Sequence, residues 1–510
     1  MLAAVFLAVF AATVALPGPL TVVLLANTVV GIFLSALQVY VALLPRFTAR
    51  HRKPRKEPFI SILVPAHNEP PAVLMQTLES LSKLSYGEYE VLVIDNNTSD
   101  PQVWKPVERF TLSLGRRFRF LHVENLTGFK AGALNYALAR TSAQSKYVAV
   151  IDADYVVNPD FLSLAVSYFT HREIALVQFP QEYRNATSEN RPVADEYRHF
   201  FRIYMNMANH LDCVPSTGTV SIYSNDALRS IGGFRVQALT EDADAGLRLY
   251  RAGFRGVYID RPIGSGLMPY DIESYRKQKW RWALGNAQAL SVLFTSFKRM
   301  PFRSWIGFLS HLTAWDHLNF LPFAVLAGYA LVVTPAILTT GEHKMLLNVA
   351  SFSIFLTIGS KFVLFLVTLR TEENPIRRAL RALLIHMGLT LVYSEALMRI
   401  MFRQKSDFER TNKFILVKAP QLLKSTYKEL ILGLWFLMGA VGGAYFGSRV
   451  VTITVFSISA AALLSVYYVH WKVRPTKEIS KRLFAHIERK YDEFLRSPTI
   501  PAHITARGRG

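Results

Sequence analysis

The sequence predicts an α/β domain inserted between blocks of α-helical transmembrane segments. Long apolar runs lie toward both ends of the chain, whereas the middle alternates short β-rich runs with helical patterns. Of the 510 residues 51% are hydrophobic, yet 58 Lys and Arg against 37 Asp and Glu leave a net charge of +21. Apolar spans in a bilayer, with basic residues along its anionic cytoplasmic face, account for both features.

Composition excludes several other classes of protein. A strongly basic chain suggests nucleic-acid binding, but a mean hydropathy of +0.20 is not typical of such proteins, so we expect no nucleic-acid partner. The single cysteine, Cys213, excludes an internal disulfide framework and a cysteine-based zinc site.

Residues 1–46 are predicted to form two N-terminal transmembrane helices. The run 20–44 is long enough to cross a bilayer, which takes about 20 residues, and the run 2–16 is marginal. Because the first run lacks a basic start and a clear cleavage site, a membrane hairpin is favoured over a signal peptide. The basic linker 47–57 then places the following domain in the cytoplasm by the positive-inside rule.

Residues 58–300 are predicted to form a cytoplasmic α/β domain. Predicted strands at 59–64, 90–94, 118–123 and 147–151 alternate with predicted helices at 72–84, 104–114 and 131–139. This alternation is typical of a mostly parallel, doubly wound sheet, in which ligands bind at the carboxyl ends of the strands. The glycine patterns of dinucleotide-binding and phosphate-binding loops are absent from this segment of the sequence.

Residues 301–472 are predicted to form a transmembrane channel region. Four apolar runs are long enough to cross a bilayer, at about 316–339, 345–369, 429–447 and 449–472. If the weaker run 383–402 crossed as well, the basic tail 473–510 would lie outside the cell. We therefore expect 383–402 to be an interfacial helix, the loop 403–428 to be cytoplasmic, and the tail to lie along the anionic leaflet.

Acidic residues follow the predicted strands, and two of them could hold a metal. Asp152 and Asp154 are two apart at a strand end, so both can converge on one Mg²⁺ or Mn²⁺ ion shared with phosphate oxygens. Taken alone, the Asp-x-Asp pattern fits a solvated strand-to-helix turn about equally well.

Two further strings have both a structural and a functional interpretation. In the structural interpretation, Thr240-Glu241-Asp242 is the start of a helix, with Thr240 as N-cap and acidic residues in the first turn. In the functional interpretation, Asp242 is a general base. The string QKWRW (278–282) fits an interfacial anchor, or its arginine binds a diphosphate while a tryptophan stacks on a sugar. Lys130 also has two interpretations: its side chain could contact phosphate, or the residue simply begins a helix on an exposed turn.

Together these motifs resemble those of the membrane-integrated processive synthases of glycosyltransferase family 2, typified by bacterial cellulose synthase. The matching strings are VPAHNE (64–69), VIDNN (93–97), FKAGALN (129–135), IDADY (151–155), TED (240–242) and QKWRW (278–282). The resemblance implies a GT-A fold, Mg²⁺ or Mn²⁺ as cofactor, a UDP-activated donor sugar and a growing polysaccharide as acceptor.

The resemblance also implies roles for individual residues. The donor would be bound by Glu69, Asp95, Lys130, Asp152, Asp154, Gln278 and Arg281, and the metal by Asp152 and Asp154. The catalytic residues would be Asp242 and Glu241. The acceptor would contact Trp282 and the string Thr217, Gly218 and Thr219.

Three more strings refine the expected product and its control. Residues 408–414 (FERTNKF) resemble the gating loop that covers the donor site in these enzymes, although a basic segment held by lipid phosphates fits as well. The strings VQFPQEYR (177–184) and STGT (216–219) resemble the bacterial β-1,3-glucan and cyclic-glucan branch, whereas cellulose synthases typically carry Phe-Cys-Gly-Ser at the latter place.

We therefore expect a plasma-membrane (inner-membrane) synthase that polymerises glucose from UDP-glucose into a β-glucan, β-1,3 favoured over β-1,4, and exports it, with accessory export proteins as possible partners. Three alternatives stay open. The first is a non-processive transferase that acts on a lipid. The second is a synthase of cellulose, mannan or an N-acetylglucosamine polymer, and the third is a non-enzymatic transporter or scaffold.

Overall fold

The structure is a computed structural model that describes residues 2–188, 190–269, 272–314, 319–331, 341–402, 422–445, 449–471 and 477–496. The chain begins with helices α1 (Leu2–Ala15) and α2 (Pro17–Leu43), which meet at Leu16. Pro17 starts α2, where its missing N–H leaves no helical hydrogen bond unmade. The two helices have nearly the bounds predicted for the N-terminal pair.

A seven-stranded sheet forms the centre of the domain between residues 58 and 300. Its strands are β1 (Ile60–Ala66), β2 (Tyr89–Asn96), β3 (Phe118–Val123), β4 (Tyr147–Val150), β6 (Ile174–Gln178), β7 (Ser221–Ser224) and β8 (Arg255–Tyr258). They are ordered β3-β2-β1-β4-β7-β6-β8, and β7 runs antiparallel to both of its neighbours. The sheet is therefore mixed, with the predicted parallel part on one side of β7. A separate two-stranded ribbon pairs β5 (Val156–Val157) with β9 (Gly264–Ser265).

Helices cover both faces of the parallel part of the sheet. Helices α3 (Pro71–Ser82) and α4 (Pro101–Ser113) pack with Ile62 and Val64 on one face. Helix α5 (Phe129–Leu138) packs with Leu63 on the other. Because β1 is buried on both faces, it reads in the sequence as a continuous apolar run, which is what made it predictable. The bounds of β1 to β4 and α3 to α5 lie within a few residues of those predicted.

The second half of the domain is mainly helical. Its helices are α6 (Phe161–Val166), α7 (Arg191–His199), a π-helical turn (Phe200–Met205), α8 (Asn206–His210), α9 (Asn225–Ser230), α10 (Glu241–Arg251), α11 (Ile272–Phe294) and α12 (Phe302–Leu312). The predicted string QKWRW lies inside α11, and the TED string begins α10. Gly307 of α12 lies against the buried Cys213, where an added Cβ would come within 2.5 Å of Sγ.

The C-terminal part is mainly helical in the described ranges. The helices are α13 (Phe320–Leu331), α14 (Gly341–Leu369), α15 (Pro375–Met387), α16 (Thr390–Met401), α17 (Leu422–Tyr445) and α18 (Arg449–Trp471). In the described ranges, four stretches have the length and apolar composition to cross a membrane: Pro17–Leu43, Gly341–Leu369, Pro375–Met401 and Arg449–Val466. The rest of the predicted run 316–339, and residues 403–421 of the predicted gating loop, including 408–414, lie outside the described residues.

Helices α15 and α16 pack against both the α/β domain and the neighbouring apolar helices. Helix α15 contacts α7, and α16 runs along α11. The two helices are separated at Gly388 and Leu389. Within the stretch Pro375–Met401, 56% of the most apolar window is buried in protein, more than in the other three candidate spans. The placement of 383–402 in the interface stays a prediction.

The tail folds onto the α/β domain. Helices α19 (Lys477–Lys490) and α20 (Asp492–Arg496) contact α3 and α4. Ile487, Tyr491 and Phe494 repeat at helical spacing and are buried in the core that also contains Phe110. Phe110 meets the rings of Tyr491 and Phe494 edge-on, at centroid distances of 5.5 and 5.0 Å. Residues 477–496 therefore rest on the domain rather than along the leaflet where the sequence placed the tail, because their apolar face has a protein surface to cover.

Candidate active site

Three of the predicted polar clusters meet at one edge of the sheet. Strand β1 pairs in parallel with β2 on one side and with β4 on the other. The segments that follow these strands therefore emerge at the same edge, as in other open α/β sheets. This arrangement brings the loop after β1, the loop after β2 and the Asp-x-Asp string after β4 together.

Asp95 is held rigidly at the end of β2. It is 4% exposed, accepts a hydrogen bond from the Thr98 hydroxyl at 2.6 Å, and lies 2.7 Å from Nδ1 of His122 on β3. Burial raises the pKa of Asp95, while the bonds to Thr98 and His122 oppose that shift. Trp104 stacks on the His122 ring at 4.1 Å. The position predicted to bind the nucleoside of the sugar donor is thus formed by the end of β2 and by the stacked rings of Trp104 and His122.

Glu69 lies in the loop that follows β1, next to the loop that follows β2. The backbone N–H of its neighbour Asn68 donates to the Thr98 hydroxyl at 2.9 Å, which ties the loop after β1 to the loop after β2. Asn68 adopts a φ of 49°, a left-handed conformation that asparagine tolerates better than most residues. The structure therefore brings Glu69 and Asp95 to the same corner, as predicted.

Lys130 is the centre of the charged cluster. Its Nζ lies 2.6 Å from Oδ1 of Asp152 and 3.7 Å from Oε1 of Glu241, and it donates to the carbonyl of Gly218 at 2.8 Å. Burial by itself would lower the pKa of Lys130, but the Asp152 and Glu241 carboxylates outweigh it and raise the pKa above its ordinary value. Lys130 is therefore a permanent cation beside the two predicted acidic motifs.

Asp154 and Asp152 provide hard oxygen ligands, but too few for a complete metal site. Asp154 is 3% exposed and its Oδ2 accepts the backbone N–H of Leu267 at 3.0 Å. Within the described ranges, no three His, Cys, Asp or Glu side chains lie close enough to hold a metal ion together. Two carboxylates that need further ligands fit Mg²⁺ or Mn²⁺ bound jointly with substrate phosphates, and do not fit a permanent structural ion.

Asp242 has the properties of a general base. Its removal from water, together with the neighbouring Glu241 carboxylate, raises its pKa to about 7, although Lys130 acts in the opposite direction. Oδ1 accepts the N–H of Ala243 at 2.9 Å, which orients the carboxylate at the start of α10. A base with a pKa near the working pH is well matched to proton removal from a hydroxyl.

The loop that contains Gly218 passes directly beside Asp242. Gly218 has a φ of +81°, and a Cβ at this position would lie 2.7 Å from Oδ2 of Asp242. Thr219 is tied to the backbone of the Asp-x-Asp string, because its hydroxyl accepts the N–H of Asp152 at 3.0 Å. Glycine is therefore required by both the backbone conformation and the close approach.

Gln178 at the end of β6 organises the same loop. The side chain is fully buried, and its Oε1 accepts from the N–H of Thr217 at 3.0 Å and from the hydroxyl of Ser221 at 2.6 Å. Its Nε2 donates to the carbonyl of Thr219 at 3.0 Å. Gln178 belongs to the string 177–184 that favoured the β-1,3-glucan branch, but its role in shaping this loop was not predicted. A polar residue at the end of a buried strand is the same signal that identified Asp95.

A small cavity of about 50 Å³ opens beside Asp242. It is lined by Gln181, Phe200, Phe201, Pro215, Ser216, Thr217, Thr240, Asp242, Ala243, Trp282, Asn286 and His311. The structure therefore brings together the predicted base, the predicted acceptor residue Thr217 and the predicted stacking residue Trp282. Gly285 allows this approach, since a Cβ there would lie 2.2 Å from the Thr240 hydroxyl oxygen.

The other residues of QKWRW are divided between two environments. Arg281 and Trp282 are partly exposed, whereas Gln278 and Lys279 are buried. Gln278 accepts a hydrogen bond from the hydroxyl of Tyr197 and is not among the residues that line the cavity. Its predicted contact with the donor therefore stays a prediction.

Comparisons with known proteins agree with this geometry. Residues 61–232 match the sequence profile described as "Glycosyl transferase family 2", and residues 147–369 match the one described as "Glycosyl transferase family group 2". The chain contains a glycosyltransferase domain. The matched residues include Asp95, Asp152 and Asp242, which confirms the predicted class of the domain.

Two curated relatives illustrate the range of similar proteins. The chain is 28% identical over 241 residues to the cellulose synthase catalytic subunit [UDP-forming] of Xanthomonas axonopodis pv. citri (strain 306), covering 45% of this chain and 32% of that protein. It is 29% identical over 243 residues to glucomannan 4-beta-mannosyltransferase 7 of Arabidopsis thaliana, covering 46% of this chain and 43% of that protein. The chain thus spans less than half the length of either relative.

A solved structure shows the same fold. A mannosyltransferase from Pyrobaculum calidifontis, in complex with GDP-Man and Mn²⁺, superimposes with a TM-score of 0.54 at 17% identity, covering 76% of this chain and 100% of that chain. The predicted GT-A fold is confirmed: the domain is a GT-A-like glycosyltransferase domain with a mixed sheet, flanked by helices that could span a membrane.

Proposed function

We propose that the protein is a membrane-embedded, processive polysaccharide synthase that transfers glucose from UDP-glucose to the non-reducing end of a growing β-glucan. The single observation that carries this proposal is the cavity in which Asp242 and Trp282 face the same space, with Lys130 and Asp152 adjoining Asp242. A general base, a sugar-stacking ring and a phosphate-binding cation are the three parts that sugar transfer requires.

Asp242 performs the proton transfer. Its carboxylate removes the proton from the acceptor hydroxyl, whose oxygen attacks C1 of the donor sugar from the face opposite UDP. The bond between C1 and the diphosphate oxygen breaks, its electron pair leaves with UDP, and the configuration at C1 is inverted. With a pKa of about 7, Asp242 is deprotonated in part of the molecules at neutral pH and still basic enough to accept the proton.

Positive charge beside the diphosphate stabilises the leaving group. Lys130 lies 2.6 Å from Asp152, and Arg281 is placed one residue before Trp282 on α11, where its planar guanidinium suits a diphosphate. Mg²⁺ or Mn²⁺, held by Asp152 and Asp154 together with the phosphates, would supply further positive charge at this point. Asp95, fixed by Thr98 and His122, and Glu69 hold the nucleoside end.

Trp282 holds the acceptor end of the polymer. The cavity is lined by residues of α10, α11 and α12, and apolar helices follow α12 in the chain. A polymer that grows at Trp282 is thus delivered toward the helices proposed to form the channel, with the catalytic domain in the cytoplasm and the channel in the plasma membrane. The strings at 177–184 and 216–219 favour a β-1,3 linkage over β-1,4.

The decisive experiment supplies purified protein with UDP-glucose and either Mg²⁺ or Mn²⁺, then digests the product with linkage-specific glucanases. We expect UDP release and a polymer that β-1,3-glucanase degrades. Sensitivity to β-1,4-glucanase alone would instead show a cellulose synthase. Incorporation of sugar from GDP-mannose or UDP-N-acetylglucosamine, but not from UDP-glucose, would show that the enzyme uses a different donor.

Product size tests processivity separately. One sugar per acceptor would show a non-processive transferase that acts on a lipid. Absence of nucleotide release with every nucleotide sugar would leave only a transporter or scaffold function.

A further inference from the structure

A buried ion pair lies inside the QKWRW segment. Lys279 has no solvent exposure, and its Nζ lies 2.6 Å from Oε2 of Glu196 on α7. Lysine is almost never fully buried unless it is paired. The residue therefore points into the interface between α11 and α7, although Gln278, Arg281 and Trp282 of the same motif were expected to bind substrates.

Both oxygens of Glu196 are occupied by groups from other helices. The hydroxyl of Tyr275 on α11 donates to Oε2 at 2.8 Å, and Nδ1 of His386 on α15 lies 3.3 Å from Oε1. Burial by itself would raise the pKa of Glu196, but the charge of Lys279 and the hydrogen bond with His386 outweigh it and hold the pKa well below its ordinary value. Glu196 is thus an anion that joins three helices at one point.

The same ammonium group lies against the rings that surround the acceptor position. Nζ of Lys279 is 5.1 Å from the centroid of Trp282 and 4.3 Å from that of Tyr197. The ring of Tyr197 in turn meets Trp282 edge-on at 5.8 Å, and its hydroxyl donates to Gln278. Because residues 279 and 282 are three apart on a helix, fixing the first fixes the face on which the second lies.

We propose that Lys279 and Glu196 are positioning residues that hold Trp282 toward the acceptor cavity and so keep the growing polymer bound between transfers. This inference rests on the proposed synthase function. A buried ion pair contributes little net stability, because the cost of desolvation offsets the attraction, but it demands one geometry of the helices that carry it. That geometry sets the rotation of α11 about its axis, and with it the direction of Trp282.

The adjacent residue of α7 provides a matched control. Asp195 binds Arg378 of α15 through two hydrogen bonds, at 3.0 Å from Nε and 2.6 Å from Nη2. This pair is buried and also joins α7 to α15, and the contacts found for it involve Glu372 and Arg198 but no residue of α11. Neutralising it perturbs the same helix layer without touching Trp282.

The test compares polymer length with the rate of UDP release for two double variants, supplied with UDP-glucose. Lys279→Met with Glu196→Gln removes both charges at similar length, and Arg378→Met with Asp195→Asn does the same to the control pair. We expect the first variant to release UDP within about threefold of the natural protein but to make polymers about tenfold shorter, because a misdirected Trp282 releases the chain early. The control pair should leave polymer length unchanged.

Two single variants keep the test valid if the neutral pair does not fold. Lys279→Arg retains the charge and should retain most of the polymer length. Glu196→Asp shortens the side chain by one methylene group, which moves the carboxylate away from Lys279. This variant should shorten the polymer, though less than the double variant does.

Unchanged polymer length in both Lys279→Met/Glu196→Gln and Glu196→Asp would overturn the positioning role. Equal shortening by the Asp195 and Arg378 control would also overturn it, since the effect would then be one of general packing. A natural protein that releases no UDP from UDP-glucose would overturn the proposed function and this inference with it, and is thereby distinguished from the first two results.

Discussion

The two sides of the active site are held in place by different forces. On the donor side, Asp95 and Asp152 directly follow or end strands whose register is fixed by backbone hydrogen bonds and an apolar core. On the acceptor side, Trp282 lies on α11, which is joined to α7 by the buried ion pair of Lys279 and Glu196. The proposed donor position is therefore set by the fold as a whole, whereas we propose that the acceptor position depends on one buried ion pair.

This contrast means that the two substrates can be perturbed independently. A change at a strand end alters donor chemistry without moving α11, and a change in the ion pairs alters acceptor binding without moving the sheet. Asp242 is at the junction, since it lines the acceptor cavity and also interacts electrostatically with Lys130 of the donor side.

The largest effect is expected at that junction. Asp242→Asn keeps the size of the side chain but removes the base, so sugar transfer from UDP-glucose should fall by about a thousandfold or more, while UDP binding measured by calorimetry stays unchanged. Asp226→Asn, at an exposed position on α9, serves as the control. Transfer by the Asp242 variant at more than a tenth of the natural rate would refute the base assignment.

Gly218→Ala should have the next largest effect. The new Cβ would lie 2.7 Å from Oδ2 of Asp242, on a backbone with a φ of +81°, so either the loop or the carboxylate must move. We expect transfer to fall by about a hundredfold, as a displacement of about 1 Å at a reacting group can cause.

The control for this variant is Gly115→Ala. Gly115 also has a positive φ, of +96°, but no atom lies within 4 Å of its added Cβ. It should lower the melting temperature through backbone strain of about 1–2 kcal/mol and leave transfer per folded molecule unchanged. Equal losses of activity in the two variants would show that strain alone, and not contact with Asp242, explains the effect.

The pH dependence should reveal the electrostatic coupling at the junction. Because the proposed base must be deprotonated to accept a proton, kcat/KM should fall as the pH drops below about 7, the pKa of Asp242. Glu241 raises the pKa of Asp242, so Glu241→Gln should lower that pKa and move the acidic limb of the profile toward lower pH. A limb that stays in place or moves upward would contradict the assignment of this limb to Asp242.

The smallest effect on catalysis is expected at the tail. Phe494 is 6% exposed and packs against Phe110, so Phe494→Ala should destabilise the α/β domain by about 3 kcal/mol and lower its melting temperature. Transfer per folded molecule should stay within about twofold, because the contact lies far from the strand ends. Arg489→Ala, at an exposed position of α19, is the control and should change neither quantity.

The donor side was largely predictable from the sequence. Strands β1 to β4 are short apolar runs followed by polar residues, and a local pattern of that kind identified Asp95, Asp152 and Asp154 without knowledge of the sheet order. The antiparallel β7 was not predictable in this way, since its pairing with β4 and β6 depends on contacts between distant segments.

The buried contacts that hold the acceptor side in place were not predictable from the sequence. The string QKWRW indicated Gln278, Arg281 and Trp282, but nothing local shows that Lys279 turns inward, because its partner Glu196 lies on another helix. The tail was misplaced for the same reason. Its apolar face at Ile487, Tyr491 and Phe494 fits a lipid surface as well as a protein surface, and only the tertiary structure supplies Phe110 as a neighbour.

The environment of Cys213 makes the protein suited to site-directed labelling. The thiol is fully buried beneath Gly307, and that burial raises its pKa, so the reactive thiolate is scarce at neutral pH. Since the chain has no other cysteine, a cysteine introduced at an accessible position would be the fastest-reacting thiol in an otherwise natural protein. Maleimide accessibility along α14, α17 and α18, with and without polymer in place, would then test whether these helices line the proposed route of a nascent chain.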